Sequence, residues 1–292
     1  MFDSIFLAIE TWMRGMLTSM VDTNLAAMFT EVNAKTANIA SQVGRTPQGW
    51  NGSIFSMIRN LSNSVVMPIA GLIITYVLCY ELISMLTERN NMHDIDTWMF
   101  FKYFVKMWIA VYILSHTFTI TMAVFDVGQH VVNSASGVIG GSTAVDITAL
   151  TATIDAAMVT MEIGELVLLA IELFIARLCL QLISILITVI LYSRMIEIYL
   201  YVSVSPIPFA TLANREWGQI GNNYLRGLFA LAFQGFFMMV CVGIYAALVS
   251  SVGGVVGSNL HTALLEVMAY TVLLCFALMR TGSLSRQIFG AH

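Results

Sequence analysis

The chain has 292 residues, of which 58% are hydrophobic and 10% charged, and its formal net charge is −4. Soluble domains carry about 25% charged residues, so this composition, with a mean hydropathy of +0.83, excludes a soluble globular protein and indicates an integral membrane protein. The charge is dispersed and gives no basic patch of the kind that binds nucleic acid. The four cysteines lie in apolar runs without CxxC spacing, which argues against a metal site or a redox pair.

Residues 4–29 have the pattern of an amphipathic helix. Apolar side chains recur at helical spacing, while Glu10, Arg14, Thr18 and Asp22 follow one another at four-residue intervals on another side. The pattern favours a helix lying in the plane of the membrane interface. A sixth membrane span, or a face packed on other subunits, are the alternatives.

An external region, residues 1–64, is predicted to precede a transmembrane domain, residues 65–292. The second part of that region, residues 30–64, is rich in Asn, Ser, Gly and Thr and predicts a loop-containing segment with a helical return into the first span. Five later runs are apolar enough to cross a bilayer, which takes about 20 helical residues. The predicted spans cover residues 65–87, 103–125, 162–190, 224–251 and 262–281.

The distribution of Lys and Arg predicts the orientation of the spans. Lys and Arg flank the loop after the first span, and Arg occurs again in residues 191–226 and in the C-terminal tail. All three regions are therefore expected in the cytoplasm. Residues 126–161 contain no Lys or Arg and 252–261 no charged residue, so both are expected outside. Five spans then put the N-terminus outside and the C-terminus in the cytoplasm. Residues 137–158 predict a flexible turn followed by a short external amphipathic helix.

Two of the four prolines, Pro206 and Pro208, interrupt an apolar stretch after the third span. Proline breaks helices and restricts the residue before it, here Ser205. A sixth crossing at this point would reverse the charge pattern, so the sequence predicts a helix to about Val204 and a broken cytoplasmic-side elbow within residues 192–223. Broken backbone at membrane depth must be covered by protein or line water. We therefore expect the elbow at a subunit interface or an aqueous path, with an ordinary surface turn as the alternative.

Charged side chains within the predicted spans are candidate functional residues. Three glutamates of the third span, including Glu165 and Glu172, share one helical face. Arg177 lies about 140° round the helix from Glu172 and requires a partner elsewhere, such as Glu81 or Glu266. These charges either line a hydrated lumen or subunit seam, or form interhelical ion pairs. The candidate lumen or seam residues are Glu165, Glu172, Arg177 and Gln234.

The run 194–240 contains an Arg followed by Glu and Tyr, a Ser-Pro-Ile-Pro core, a Gly-Asn-Asn-Tyr-hydrophobic-Arg turn and a Gln-Gly pair. These 47 residues resemble the polytopic inner-membrane channel subunit of type IV secretion and conjugation machines, the TrbL-like family, in the form found in Gram-positive conjugative elements. The five-span layout agrees with this resemblance. It implies a channel or scaffold subunit that assembles as a homo-oligomer, with a pentamer expected, for DNA or protein transfer.

The resemblance also implies partners. They are other membrane subunits of the machine, ATPases that dock at residues 191–223 and 88–102, membrane lipids and transferred single-stranded DNA. The mechanism would be conduit formation, and no HExxH, phosphate-binding loop or GxSxG indicates an enzyme. No catalytic residue, metal or cofactor is expected, although a bound phospholipid is compatible with the class. The candidate docking residues of the elbow are Ser205, Pro206, Pro208, Trp217, Asn222, Tyr224 and Arg226.

Two other functions are compatible with the residues. The intramembrane acids favour a stand-alone solute or ion transporter or channel, which would support flux without partners. Such transporters commonly contain inverted repeats, and no internal repeat is visible in this sequence. A scaffold that conducts nothing is the remaining alternative.

Overall fold

The computed structural model describes residues 2–87, 97–139, 154–156, 158–214, 216–252 and 260–291. Every regular element in these ranges is helical, which confirms the predicted all-α class. A π-helical turn, Ser62–Val66, joins α3 to α4. The α-helices are α1 Phe2–Val43, α2 Pro47–Trp50, α3 Gly52–Leu61, α4 Met67–Thr87, α5 Thr97–Ser115, α6 Thr117–Ile139, α7 Ile163–Ser203, α8 Pro206–Thr211, α9 Gly218–Val252 and α10 Leu260–Phe289.

Five helical segments in the described part of the chain are long and apolar enough to cross a membrane, as predicted. Most extend beyond the predicted spans, because the apolar runs continue as helix into the more polar flanking residues. The protein is therefore a multi-pass membrane protein. The five segments are Gly52–Thr87, Trp98–Ser115, Ile163–Ser203, Gly218–Val252 and His261–Phe289.

The predicted second span, residues 103–125, is wrong in its bounds because the helix is interrupted at His116. Side chains around this residue bond the carbonyls of the preceding turn. The Thr117 hydroxyl donates to the Leu114 carbonyl at 2.8 Å, and the Ser115 hydroxyl donates to the Tyr112 carbonyl at 2.9 Å. Such bonds weaken the regular backbone ladder and bend helices.

The N-terminal helix α1 continues to Val43, so the loop predicted within residues 30–64 is confined to residues 44–46 and Asn51. Residues 30–43 are therefore helical. Their polar composition conceals a buried face, on which Val32, Ile39 and Val43 are at most 4% exposed. Earlier in the helix, large apolar residues such as Trp12 remain exposed. The buried side of α1 contacts its own chain, which the prediction of a helix lying at the membrane surface did not include.

The chain divides into two compact units. Unit 1 comprises Met1–Val43, Asn133–Leu191 and Met238–Arg280, and unit 2 comprises Gly44–Val132, Tyr192–Phe237 and Thr281–His292. Each unit therefore combines segments that are distant in sequence. The buried side chains of unit 1 include Leu166, Leu169 and Leu173 of α7, which recur at helical spacing.

The core of unit 2 surrounds the short helix α8. It contains Ile74 of α4, Phe118 of α6, Phe209 of α8 and Leu228 of α9. Helices α6 and α9 approach closely, since a Cβ atom on Gly128 would lie 2.8 Å from the carbonyl oxygen of Ala232. Small residues permit this close backbone approach between membrane helices, and the resulting core positions the elbow.

Candidate functional site

The two prolines of the elbow begin a short buried helix. Helix α7 ends at Ser203, and Pro206 occupies the first turn of α8, where its fixed φ angle suits a helix and its missing N–H has no intrahelical acceptor to lose. Ser205 is 0% exposed, and Pro206 and Pro208 are also buried. The predicted break after about Val204 is therefore present, and protein covers it.

Asn214 fixes the second bend of the elbow. Its side-chain Oδ1 accepts hydrogen bonds from the backbone N–H groups of Glu216 at 2.7 Å and Trp217 at 3.1 Å. Its Nδ2 donates to Oε2 of Glu81 on α4 at 3.4 Å, and Oε1 of Glu81 accepts from Nζ of Lys106 on α5 at 2.5 Å. One carboxylate thus joins two membrane helices to the elbow.

Aromatic rings hold the same bend against α4. The Trp217 ring stacks on Tyr76 at a centroid distance of 5.4 Å and on Tyr80 at 6.5 Å. The Tyr80 hydroxyl donates to the Glu216 carboxylate at 3.2 Å. Because Trp217 is 39% exposed, the stack leaves one edge of the indole at the surface.

Tyr224 connects α9 to the end of α7. Its hydroxyl donates to the Tyr201 carbonyl at 2.8 Å, and the two rings stack at 4.7 Å with an interplanar angle of 11°. Gly227 makes room for this arrangement, since a Cβ atom there would lie 2.1 Å from the Tyr201 hydroxyl oxygen. Gly221 similarly lies against α8, where a Cβ atom would approach the Pro208 carbonyl to 2.6 Å.

A polar pocket of about 620 Å³ opens on the first turns of α9. Arg226 is exposed, and its Nη1 makes only a long bond of 3.4 Å to the Gly290 carbonyl. Asn222 is also exposed. The pocket therefore combines amide groups with one cation beside a rigidly held elbow. Its lining residues are Gln219, Ile220, Asn222, Asn223 and Arg226.

In unit 1, the predicted acids of α7 have different local partners. The Glu165 carboxylate accepts from the backbone N–H of Glu162 at 3.2 Å, which satisfies a free donor at the start of the helix. Glu172 pairs with Nδ1 of His261 on α10. Glu172 is 27% exposed and His261 47% exposed, so this pair reaches the molecular surface.

The predicted partners of Arg177 were wrong. Its Nη1 donates to Oδ1 of Asn24 on α1 at 3.0 Å, whereas the Glu81 carboxylate is bonded by Lys106. Arg14 of α1 also donates to the Met161 carbonyl at 2.9 Å. These bonds attach one side of α1 within unit 1.

Helix α1 also contributes to a carboxyl pair in unit 1. Asp22 and Asp155 share a side-chain hydrogen bond. Burial, together with the neighbouring Asp155 carboxyl, raises the pKa of Asp22 above its usual 3.8. A hydrogen bond between two carboxyl groups requires a proton on one of them, and the raised pKa favours that protonated form.

Gln234 belongs to the interior of unit 2. The side chain is 7% exposed, and its Nε2 lies 3.5 Å from the Thr281 hydroxyl on α10. Its Oε1 has no partner among the described residues. These contacts favour a helix-packing position for Gln234. Across the described residues, no group of three His, Cys, Asp or Glu side chains could hold a metal ion.

A family model described as TrbL/VirB6 plasmid conjugal transfer like protein matches residues 32–206, more than half of the chain. The chain belongs to this TrbL/VirB6 family. It is therefore a component of a conjugal transfer system, from a family of structural transfer subunits rather than known enzymes. No curated protein and no solved structure matches the chain.

The match confirms the predicted family, but it covers a different part of the chain from the residues on which the predicted resemblance rested. The predicted resemblance rested on 194–240, and the TrbL/VirB6 match ends at Pro206, so the two share only 194–206. Most of the matched region lies in segments whose specific resemblance to the family was not recognised, including residues 32–43 of α1.

Sequence reasoning missed Asn214, Lys106 and Asn24 as organising residues of this TrbL/VirB6 protein. Asn214 had a readable signal, because Asn side chains commonly accept hydrogen bonds from backbone N–H groups two or three residues later in turns. Lys106 and Asn24 carried none, since their partners lie 25 and 153 positions away in the chain.

Replacing Asn214 with Ala should destabilise the elbow. The change removes two acceptor bonds to backbone N–H groups and one donor to Glu81, so we expect the free energy of unfolding to fall by about 1–2 kcal/mol. Thermal unfolding of the purified protein in detergent measures the change. Asn222→Ala, at an exposed position of the same region, should leave the transition unmoved, and equal stability of the two variants would contradict the assignment.

Proposed function

We propose that the chain is a channel or scaffold subunit of a conjugative type IV secretion system. Several copies would surround a path for DNA or protein, because a single chain of this size is too small to enclose single-stranded DNA. A pentamer is the ring expected from the resemblance to TrbL-like subunits. The subunit would act by forming the conduit, and partner ATPases would supply the energy.

The observation that carries this proposal is the partial exposure of charge on membrane-spanning helices. The Glu172–His261 pair reaches the surface of unit 1, and Lys106 in unit 2 is 40% exposed. A charged group that faces lipid is costly, by up to roughly 2.5–3.5 kcal/mol at the bilayer centre on insertion scales. Such groups are better placed against water or another subunit, which favours an assembly with a lumen or seam at these positions.

Within that assembly, the candidate residues have distinct proposed roles. Glu172 would lie at the lumen or at a subunit seam. Glu165 and Arg177 would support it from the same helix, through their bonds to the helix start and to Asn24. Gln234 would hold α9 against α10 from its buried position.

The elbow would be the docking point for partner subunits. Its backbone is covered and its bend is fixed by Asn214 and Trp217, so the adjoining polar pocket can receive a partner without reorganising. Arg226 supplies the cation and Asn222 an amide for hydrogen bonds. We place this surface in the cytoplasm, with the C-terminus, and the N-terminus outside, because Lys and Arg concentrate in the corresponding segments.

Cysteine labelling in donor cells tests the lumen or seam. Glu172→Cys should react with a water-soluble maleimide in the assembled machine. Phe174→Cys is the control, because Phe174 is 52% exposed and lies about 200° round α7 from Glu172, on the side expected to face lipid. Equal labelling of both cysteines, or labelling of Phe174→Cys alone, would contradict the placement.

Charge reversal tests the docking surface. Arg226→Glu should reduce the frequency of DNA transfer by about tenfold or more, since loss of a central charged contact costs 1.4 kcal/mol or more of binding. The amount of protein in the membrane, measured by immunoblotting, should not change. Arg45→Glu makes the same change at an exposed position of the N-terminal region, and an equal loss of transfer in that variant would remove the specific role of Arg226.

A further inference from the structure

Arg194 on α7 is a buried cation for which no described residue supplies a counter-charge. The side chain is 7% exposed, and Nε has no hydrogen-bond partner within the described ranges. No ion pair joins its guanidinium to any residue that the structure describes. Arginine remains protonated in proteins, so burial cannot be relieved by loss of the charge.

The nearest acid along the helix is already engaged. Glu197 lies three residues after Arg194, at the spacing of a helical ion pair, but its carboxylate pairs with Arg286 of α10. This pair is partly open to the surface, with Glu197 37% and Arg286 52% exposed. Since Glu197 and Arg194 lie about 60° apart round α7, the side of the helix next to Arg194 is reachable from outside the fold.

The opposite side of α7 is apolar and outward-facing. Tyr192, Ile196 and Leu200 are 46%, 55% and 62% exposed, and they lie about 160–240° round the helix from Arg194. Arg194 therefore points away from the apolar outward face and towards the side that carries the Glu197–Arg286 pair. A group that neutralises it must enter beside that pair.

The chemistry of guanidinium selects an oxyanion. Its planar fork matches the oxygens of a phosphate, and a buried, unpaired charge is strongly destabilising until such a partner is present. A phosphate entering beside the pair would also meet the Arg286 cation, while the Glu197 charge is already neutralised by that arginine. The charges of the two arginines and of Glu197 sum to a net positive charge, which attracts an anion.

The sequence before Arg194 favours a lipid as the source of phosphate. Residues 178–193 contain no charged residue, and a helix of that length rises about 24 Å, close to the roughly 30 Å hydrocarbon thickness of a bilayer. Arg194 is the first charge beyond this stretch, at the depth where phospholipid headgroups begin. We propose that Arg194, with Arg286, forms a phosphate-binding site that a phospholipid headgroup occupies.

A lipid-exchange experiment tests the site. Purified wild-type protein and Arg194→Met are compared by thermal unfolding in phosphate-free neutral detergent, with phosphatidylglycerol, with diacylglycerol of the same chains, or with inorganic phosphate. Methionine keeps an unbranched apolar stem and removes the charge. A saturating phosphate ligand should raise the apparent Tm of the wild type by about 4 °C or more, and Arg194→Met should gain nothing. Arg45→Met, at an exposed arginine, should behave as the wild type.

Each outcome decides the proposal. Stabilisation by phosphatidylglycerol but not by diacylglycerol supports a lipid headgroup, and equal stabilisation by inorganic phosphate supports the same site with a free anion as its source. Equal responses of wild type and Arg194→Met overturn the proposal, as does equal stabilisation by diacylglycerol. The Tm of the wild type could also rise with protein concentration in the absence of phosphate. This result would assign the counter-charge to another copy of the chain and would overturn the proposal. If Arg194→Met does not fold, the comparison of the two lipids on the wild type alone decides.

Discussion

The hydrogen bonds and ion pair of the Glu81 carboxylate are the interactions on which the architecture of unit 2 depends. A chain that breaks its backbone ladder at membrane depth must satisfy the released groups within the protein. Here the break after α7 is covered by buried side chains, and the next bend is organised by Asn214. Glu81 accepts bonds from Asn214 and Lys106 with its two oxygens. This one carboxylate therefore connects the elbow to α4 and α5. The bend ends at the start of α9, where the polar pocket opens.

The same logic explains the distribution of charge on the spans. Glu172 pairs with His261 and Glu197 with Arg286, so these two acids of α7 each have a partner on a helix far away in the sequence. Charge on membrane helices is costly unless it is paired or faces water, and these pairs are only partly buried. The partial exposure of these charged side chains is compatible with an assembly in which a neighbouring copy or a hydrated path covers their exposed side. Arg194 is the exception in this set, because no residue in the described part of the chain supplies its counter-charge, and for this reason we assign it an external ligand.

The sequence was sufficient to predict features that depend on local physics. Long apolar runs predicted five spans, and Pro206 and Pro208 predicted the end of α7, because both depend on the residues themselves. The helical continuation of α1 to Val43 was not predictable from composition, since its buried face is interspersed with polar residues such as Asn33 and Lys35. The interruption at His116 depends on hydroxyl bonds that are hidden within an apolar run. The partners of Arg177 and Glu81 are set by tertiary packing, and spacing along one helix could exclude partners but could not identify them.

We propose that several copies of this TrbL/VirB6 subunit form one membrane assembly. The most direct measurement is the mass of the detergent-solubilised particle, with protein and lipid determined separately by light scattering and lipid phosphorus analysis. We expect a particle that contains several chains together with retained phospholipid. A particle containing one 32.2 kDa chain at all protein concentrations would contradict it, and would leave the elbow as a docking turn on a monomeric membrane protein.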